Sequence, residues 1–274
     1  MKNRISRLLE PAVTIPEDRK IFTNTALKTM ILPLFFEQLL EVLVGVADTF
    51  MVSYAGEAAV SGVSLVNMFN TVFIFLFSAL ASGGAVVVSQ YIGSRDRKNG
   101  CLSASQLVMV SLVFSLGMML AVLALNRYLL RLLFGEVEPA VMEACETYLR
   151  ISAYSYPAIA LYNAGAAIYR SMGKTSVTMY LSAASNIINI AGNAVGVFVL
   201  HAGVAGVAYP SLIARSFAAL VILALCFRKK NTVFLRWNQI LCWKGSMIRR
   251  ILGIAVPNGI ENGLFQLVKV ALSS

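Results

Sequence analysis

Apolar residues run along this chain in long blocks, separated by short polar or basic stretches. The charge-poor blocks are Thr29 to Ser53, Ala58 to Ser94, Asn99 to Asn126, Ile151 to Tyr169, Thr175 to Phe227 and Ile251 to Ser274. A helix crosses a bilayer with about 20 apolar residues, and every block reaches that scale. The block Thr175 to Phe227 contains the turn His201-Ala202-Gly203, so it reads as two helices joined by a hairpin. The pattern predicts seven helices. Ala58 to Ser94 is too long for one straight span. It is predicted to be a single helix, either tilted or bent at Gly83-Gly84.

Composition moves the picture further toward the membrane. Of 274 residues, 58% are hydrophobic and 13% charged, with a mean hydropathy of +0.74. Soluble domains are far less apolar, so the expected class is an all-α polytopic membrane protein. The formal charge of +10 raises the question of nucleic acid, but its distribution answers it. With alternating helices, 18 of the 23 Lys and Arg fall on one side. They sit in the N-terminal segment, at Arg95, Arg97 and Lys98, at Arg170 and Lys174, and between Arg228 and Arg250. The other side holds Arg127 and Arg131 among Glu136, Glu138, Glu143 and Glu146. That is the positive-inside pattern. It places the N-terminus in the cytoplasm of a cell (plasma or inner) membrane, leaves one span between Ala58 and Ser94, and argues against a nucleic-acid partner.

Residues 1–28 are polar and basic, without the apolar core of a cleavable signal. Cys101, Cys145, Cys226 and Cys242 show no C-x-x-C spacing, so no metal knuckle or redox pair is expected. Arg228 to Arg250 reads as a basic linker. Its Trp237 and Trp243 suit an amphipathic segment at the membrane surface. Enzyme signatures are missing too. His201 is the one histidine, which excludes an H-E-x-x-H metalloprotease. No G-x-S-x-G elbow occurs, and Asp48 is the one aspartate inside a predicted span, too few for an aspartyl protease. No enzyme activity and no bound cofactor are expected.

The polar residues inside the spans carry the functional expectations. Glu37, Glu41 and Asp48 of the first span fall within about 40° on a helical wheel. Three carboxylates on one stripe cannot face lipid and must face a cavity or a partner. Pro33 removes a backbone donor and frees a carbonyl one turn earlier, which makes it a candidate hinge. Glu37 and Glu41 could instead pair or snorkel at the interface. In the fifth span Asn186, Asn189 and Asn193 share one face. They suit interhelical hydrogen bonding or, with one carboxylate, the oxygen ligands of a small cation or proton relay. In the sixth span, Arg215 lies near the middle and needs an acid or a route to the interface. Pro210 precedes Ser211 there, and Gly203, Ala205, Gly206 and Ala208 suit close packing. Asn67 and Asn70, among Phe69, Phe73, Phe75 and Phe77, are candidates to line a substrate route, though such rings more often pack or face lipid.

One device occurs twice. Pro33-Leu34-Phe35-Phe36-Glu37 opens the first span and Pro257-Asn258-Gly259-Ile260-Glu261 the last. A carboxylate four residues after a proline, inside an apolar helix, suggests an internal repeat. The run Asp48-Thr49-Phe50-Met51-Val52, then Ser185-Asn186-Ile187-Ile188-Asn189-Ile190, Gly203-Val204-Ala205-Gly206-Val207-Ala208 and Ile254-Ala255-Val256-Pro257-Asn258-Gly259-Ile260-Glu261-Asn262, resemble the MATE (multidrug and toxic compound extrusion) transporters.

The resemblance implies two six-helix lobes around a central cavity, and antiport of an amphipathic organic cation against Na⁺ or H⁺. It assigns residues 1–28 to a cytoplasmic segment, 29–227 to the six-helix N-lobe, 228–250 to a cytoplasmic linker and 251–274 to the first helix of a second lobe. It implies a coupling-ion site at Asp48, Asn189, Asn193 and, less directly, Ser211. It matches Glu261 to a second-lobe acid. Glu37, Glu41, Asn67, Asn70, Asn186 and Glu261 are expected toward the cavity. Many family members carry Asp where this chain has Asn193, so the site holds one carboxylate and its coupling ion stays open. The remaining half of the cavity is expected from a second lobe or a second copy. A lipid-linked-saccharide flippase wants a more cationic cavity, and a non-functional remnant is the other alternative.

Overall fold

The computed structural model describes residues 24–135 and 137–273, with side chains over 27–261 apart from Leu133 and Glu136. The predicted segment 1–28 lies almost wholly outside the described residues, as do Glu136 and Ser274. Among the described residues all regular structure is helical: α1 (Asn24–Ser53), α2 (Glu57–Gly93), α3 (Arg97–Phe134), α4 (Pro139–Tyr154), α5 (Tyr156–Ser171), α6 (Thr175–Ala194), α7 (Ala205–Cys226), α8 (Trp237–Ile240) and α9 (Gly245–Ser273). A π turn, Val195–Val199, continues α6. Five described helices are long and apolar enough to cross a membrane: α1, α2, α3, α6 with its π turn, and α7.

Two features add to the sequence reading. First, α2 is a single helix of 37 residues, and Gly83-Gly84 is a contact point in it. A Cβ on Gly83 would lie 2.6 Å from the backbone nitrogen of Ala255 in α9, and one on Gly84 would meet the Leu107 side chain of α3. The glycines let two helices approach α2 closely. Second, the expected span Ile151 to Tyr169 is two helices of 16 residues, α4 and α5, meeting at Ser155. Pro157 cannot donate a backbone hydrogen bond. The Ser155 N–H and hydroxyl both donate to the Ser152 carbonyl, at 2.9 and 2.7 Å.

Two apolar clusters fill the bundle. One joins the C-terminal half of α2 to α3, α5, α7 and α9 around Leu107, Ile168, Ile222 and Ile251. The other joins the N-terminal half of α2 to α3, α4 and α5 around Val66, Phe77, Leu130 and Tyr156. On α6 and α7 the polar residues Asn186, Asn189, Asn193, Ser211 and Arg215 fall between the stretches that enter these clusters. The fold thus keeps apolar layers above and below a polar one. At the flanks, α1 packs chiefly on α6 and α9 chiefly on α2.

The basic loops meet at one end. The Arg97 guanidinium donates to the carbonyls of Lys229, Asn231 and Thr232. Lys174 Nζ donates to Asn231 Oδ1 at 2.9 Å. The linker has little helix of its own, since α8 is a single turn. It is pinned from behind, with Val233 and Leu235 buried in the core. Gln106 of α3, also fully buried, donates to the carbonyls of Gln239 and Cys242 and accepts from the Lys244 N–H. Trp237, Leu241 and Trp243 point outward, 63–83% exposed.

Candidate functional site

The carboxylate stripe of α1 faces α5, α6 and α7, but its three members meet different neighbours. Nearest the basic end, Glu37 is 1% exposed. Its Oε1 pairs with Arg170 Nη2 at 2.6 Å, and its Oε2 accepts from the Thr178 hydroxyl at 3.1 Å. The expectation of a cavity-facing Glu37 is therefore corrected: it closes a buried ion pair between α1, α5 and α6. Burial of a carboxylate demands such a partner. Pro33, one turn before it, is buried within a continuous α1.

One turn on, Glu41 is exposed and accepts from Gln38 at 3.1 Å. It lines a cavity of about 180 Å³ with Tyr162, Asn163, Ser185, Asn186 and Arg215. Arg215 Nη1 donates to Ser155 Oγ at 2.9 Å, so the break between α4 and α5 supplies an acceptor in mid-bundle.

Two turns further, Asp48 ends a chain of hydrogen bonds. Ser211 Oγ donates to the Val207 carbonyl at 3.0 Å and accepts from Asn189 Nδ2 at 2.8 Å. Asn193 Nδ2 donates to Asn189 Oδ1 at 3.4 Å and to Asp48 Oδ1 at 2.6 Å. The four residues of the expected ion site thus form one connected cluster across α1, α6 and α7. Asn193 is fully buried, and its Oδ1 has no hydrogen-bond donor. A buried acceptor without a partner is unfavourable, and here it lies beside a carboxylate. A small cavity of about 110 Å³ opens on Asp48, lined also by Gly45, Thr49, Asn67, Tyr148 and Val207. Carboxylate, amide and hydroxyl oxygens are hard donors, which suit an alkali cation or a proton. The donor set present fits either.

The remaining candidates divide. Asn67 faces the Asp48 cavity and accepts from the Tyr148 hydroxyl at 3.1 Å. Asn70 does not face a cavity: it is 5% exposed and accepts from the Tyr156 hydroxyl at 2.7 Å. The Asn186 Nδ2 in the Glu41 cavity is buried without an acceptor. Glu261 is exposed on α9, which packs on α2 and α3, so it is not joined to the Asp48 cluster. A larger cavity of about 370 Å³ between α2, α3 and α9 has an entirely apolar lining. The sequence reading missed Arg170, Thr178, Ser155, Tyr148 and Tyr156. Pro157 was the available sign of the Ser155 break. The tyrosines gave none, because an aromatic residue in an apolar block reads as packing.

Comparison with known proteins puts this arrangement in context. The family model described as MatE matches residues 33–195. An uncharacterized transporter of Bacillus subtilis is 28% identical over 267 residues, covering 92% of this chain and 58% of that protein. A probable multidrug resistance protein of Thermotoga maritima is 25% identical, covering 93% of this chain and 54% of its own length. This chain thus spans little more than half the length of these relatives. Among solved structures, an outward-facing multidrug resistance MATE family transporter superposes with a TM-score of 0.81 at 22% identity. That match covers 90% of this chain and 55% of the other, and the likeness is one of fold.

Proposed function

This chain belongs to the MatE family, and from that premise we propose that it forms the ion-coupled half of an exporter of small amphipathic organic compounds. In this reading Na⁺ or H⁺ enters the Asp48–Asn193–Asn189–Ser211 cluster, and the compound occupies the cavity between this six-helix lobe and a second one. The observation behind it is the unbroken hydrogen-bonded chain from Ser211 to Asp48, with one buried amide oxygen left without a donor. The names of the Thermotoga relative and of a multidrug export protein from Staphylococcus haemolyticus support export of diverse compounds. The location is a cell membrane with the basic end in the cytoplasm.

The coupling follows from electrostatics. An ionised carboxylate in a poorly solvated site is unfavourable, and a bound cation or proton relieves it. A proton on Asp48 would turn one acceptor oxygen into a donor, and Asn193 Oδ1 is the unpaired acceptor beside it. Either ion changes which of these groups can bond, and so changes how α1 sits on α6. A cationic substrate and the ion compete for the same negative charge.

The test is Asp48→Asn in the full-length protein, reconstituted in liposomes. Efflux driven by a Na⁺ or H⁺ gradient is expected to fall to background, with thermal unfolding in detergent little changed. Retention of gradient-driven efflux by that variant overturns the assignment.

A further inference from the structure

We propose that the cavity around Arg215 receives the anionic end of the transported compound, so that this chain prefers substrates carrying both a positive and a negative group. This rests on the export reading above and narrows its substrate class.

Arg215 lies in the polar layer between two apolar clusters. Among the described residues it makes one hydrogen bond, to Ser155 Oγ. The ion pairs among the described residues are Arg127–Glu146 and Arg170–Glu37, so Arg215 has no carboxylate partner. Asp48 lies within its electrostatic reach, but the hydrogen bond to Asp48 comes from Asn193. A guanidinium carries five N–H donors, and one is used here. A partly buried charge left so under-paired is unfavourable. The same cavity contains a second unanswered donor, the buried Nδ2 of Asn186. Two donors without acceptors, one of them cationic, suit a planar carboxylate or a sulfonate. Such a group is held by charge-assisted hydrogen bonds, roughly twice as strong as neutral ones.

The other charge of this cavity is Glu41. It is exposed, and it accepts a hydrogen bond from the neutral amide of Gln38. It can therefore face a ligand's ammonium or delocalised cation. A ligand with a cation alone would satisfy Glu41 but meet the field of Arg215. A ligand with both charges answers both walls. The volume of about 180 Å³ is below the 300–1,000 Å³ typical of a whole drug-sized site. The cavity therefore accommodates the charged end of a larger molecule, whose apolar body lies outside it.

A matched pair of dyes tests this: a rhodamine free acid, which carries a xanthylium cation and a carboxylate, and the methyl ester of the same dye, which is a cation only. Binding to the full-length protein in nanodiscs is read by fluorescence polarisation, and efflux from proteoliposomes by dye loss. The free acid is expected to bind about tenfold tighter than the ester. Arg215→Gln is expected to bring the acid down to the ester's affinity while leaving the ester unweakened. Arg215→Lys should keep most of the preference, because the charge remains. Asn186→Ala should lower affinity for the acid alone, and does so without touching the charge in the bundle. Equal binding of acid and ester by the wild type overturns the proposal and leaves the export reading standing. So does an unchanged acid preference in folded Arg215→Gln. If neither dye binds or moves, the export reading falls and this proposal with it.

Discussion

The two helices that carry an interior proline and, four residues later, a glutamate sit in different kinds of seam. On α1, Glu37 is buried and paired, and the helix meets α5 and α6 through polar contacts: Arg170 of α5 and Thr178 of α6 on Glu37, Asn193 of α6 on Asp48. On α9, Glu261 is exposed, and the helix meets α2 closely at small residues, Ala255 on Gly83 and Gly259 near Ala79, beside hydrogen bonds from Arg250 to Tyr91 and Gln90 and from Asn258 to Ser82. One repeated sequence device therefore has two environments. The α1 seam is joined through two carboxylates, so it can respond to a proton or an ion. The α9 contacts with α2 named above involve no carboxylate and have no such handle.

The strongest way to break the first seam is Arg170→Ala. It strands the Glu37 carboxylate, and loss of one partner of a buried pair costs about 3 kcal/mol. Glu37→Gln leaves no buried charge and should cost nearer 1 kcal/mol. Denaturant unfolding in detergent is expected to show that asymmetry. Equal losses would mean that the pair is solvated rather than buried.

Gly83→Val attacks the second seam. A Cβ there meets the backbone of Ala255, which cannot swing aside as a side chain can. Overpacking of this kind costs about 2 kcal/mol. Cysteines at Ser82 and Asn258, whose side chains are 3.0 Å apart, should crosslink less readily in that background. Undiminished crosslinking would show that the helices accommodate the added atoms.

The smallest effect belongs to a group outside both seams. Asp96 caps α3, where the Asn99 backbone and side-chain N–H groups hold its carboxyl below the usual range. The cap is therefore complete above the ordinary carboxylate pKa and lost as pH falls through the lowered value. The protection of the Asn99 amide, its exchange measured against the intrinsic rate at each pH, should fall on acidification, while the Gly83–Ala255 contact has no carboxylate to titrate. Exchange at Asn99 that Asp96→Ala leaves unaltered at neutral pH would remove the cap from the account.

How far the sequence foretold this arrangement depended on what kind of fact was sought. Helical periodicity placed Asn186, Asn189 and Asn193 on one face and Glu37, Glu41 and Asp48 on another, and the structure brings those faces together. Periodicity cannot say which neighbour fills each position along a seam. That is why Glu37 and Asn70, expected at a cavity, lie instead against Arg170 and Tyr156. Gly83-Gly84 shows the same limit. Glycine permits both a bend and a close approach, and the groups that approach these two, Ala255 and Leu107, are distant in sequence. The linker shows its tryptophans in the sequence, whereas its anchor is a glutamine in α3 that nothing in the linker announces.

That anchor has a mechanical meaning. Gln106 ties both ends of the Gln239–Lys244 stretch to α3 just before α9 begins. A rod held at one end travels least there and most at its free tip. If α9 tilts against the bundle, the fulcrum lies at the basic end, and the sweep grows along the helix toward the opposite surface. A side chain with no charge, no exposure and no place in the ion cluster thus sets the side on which such a tilt would open.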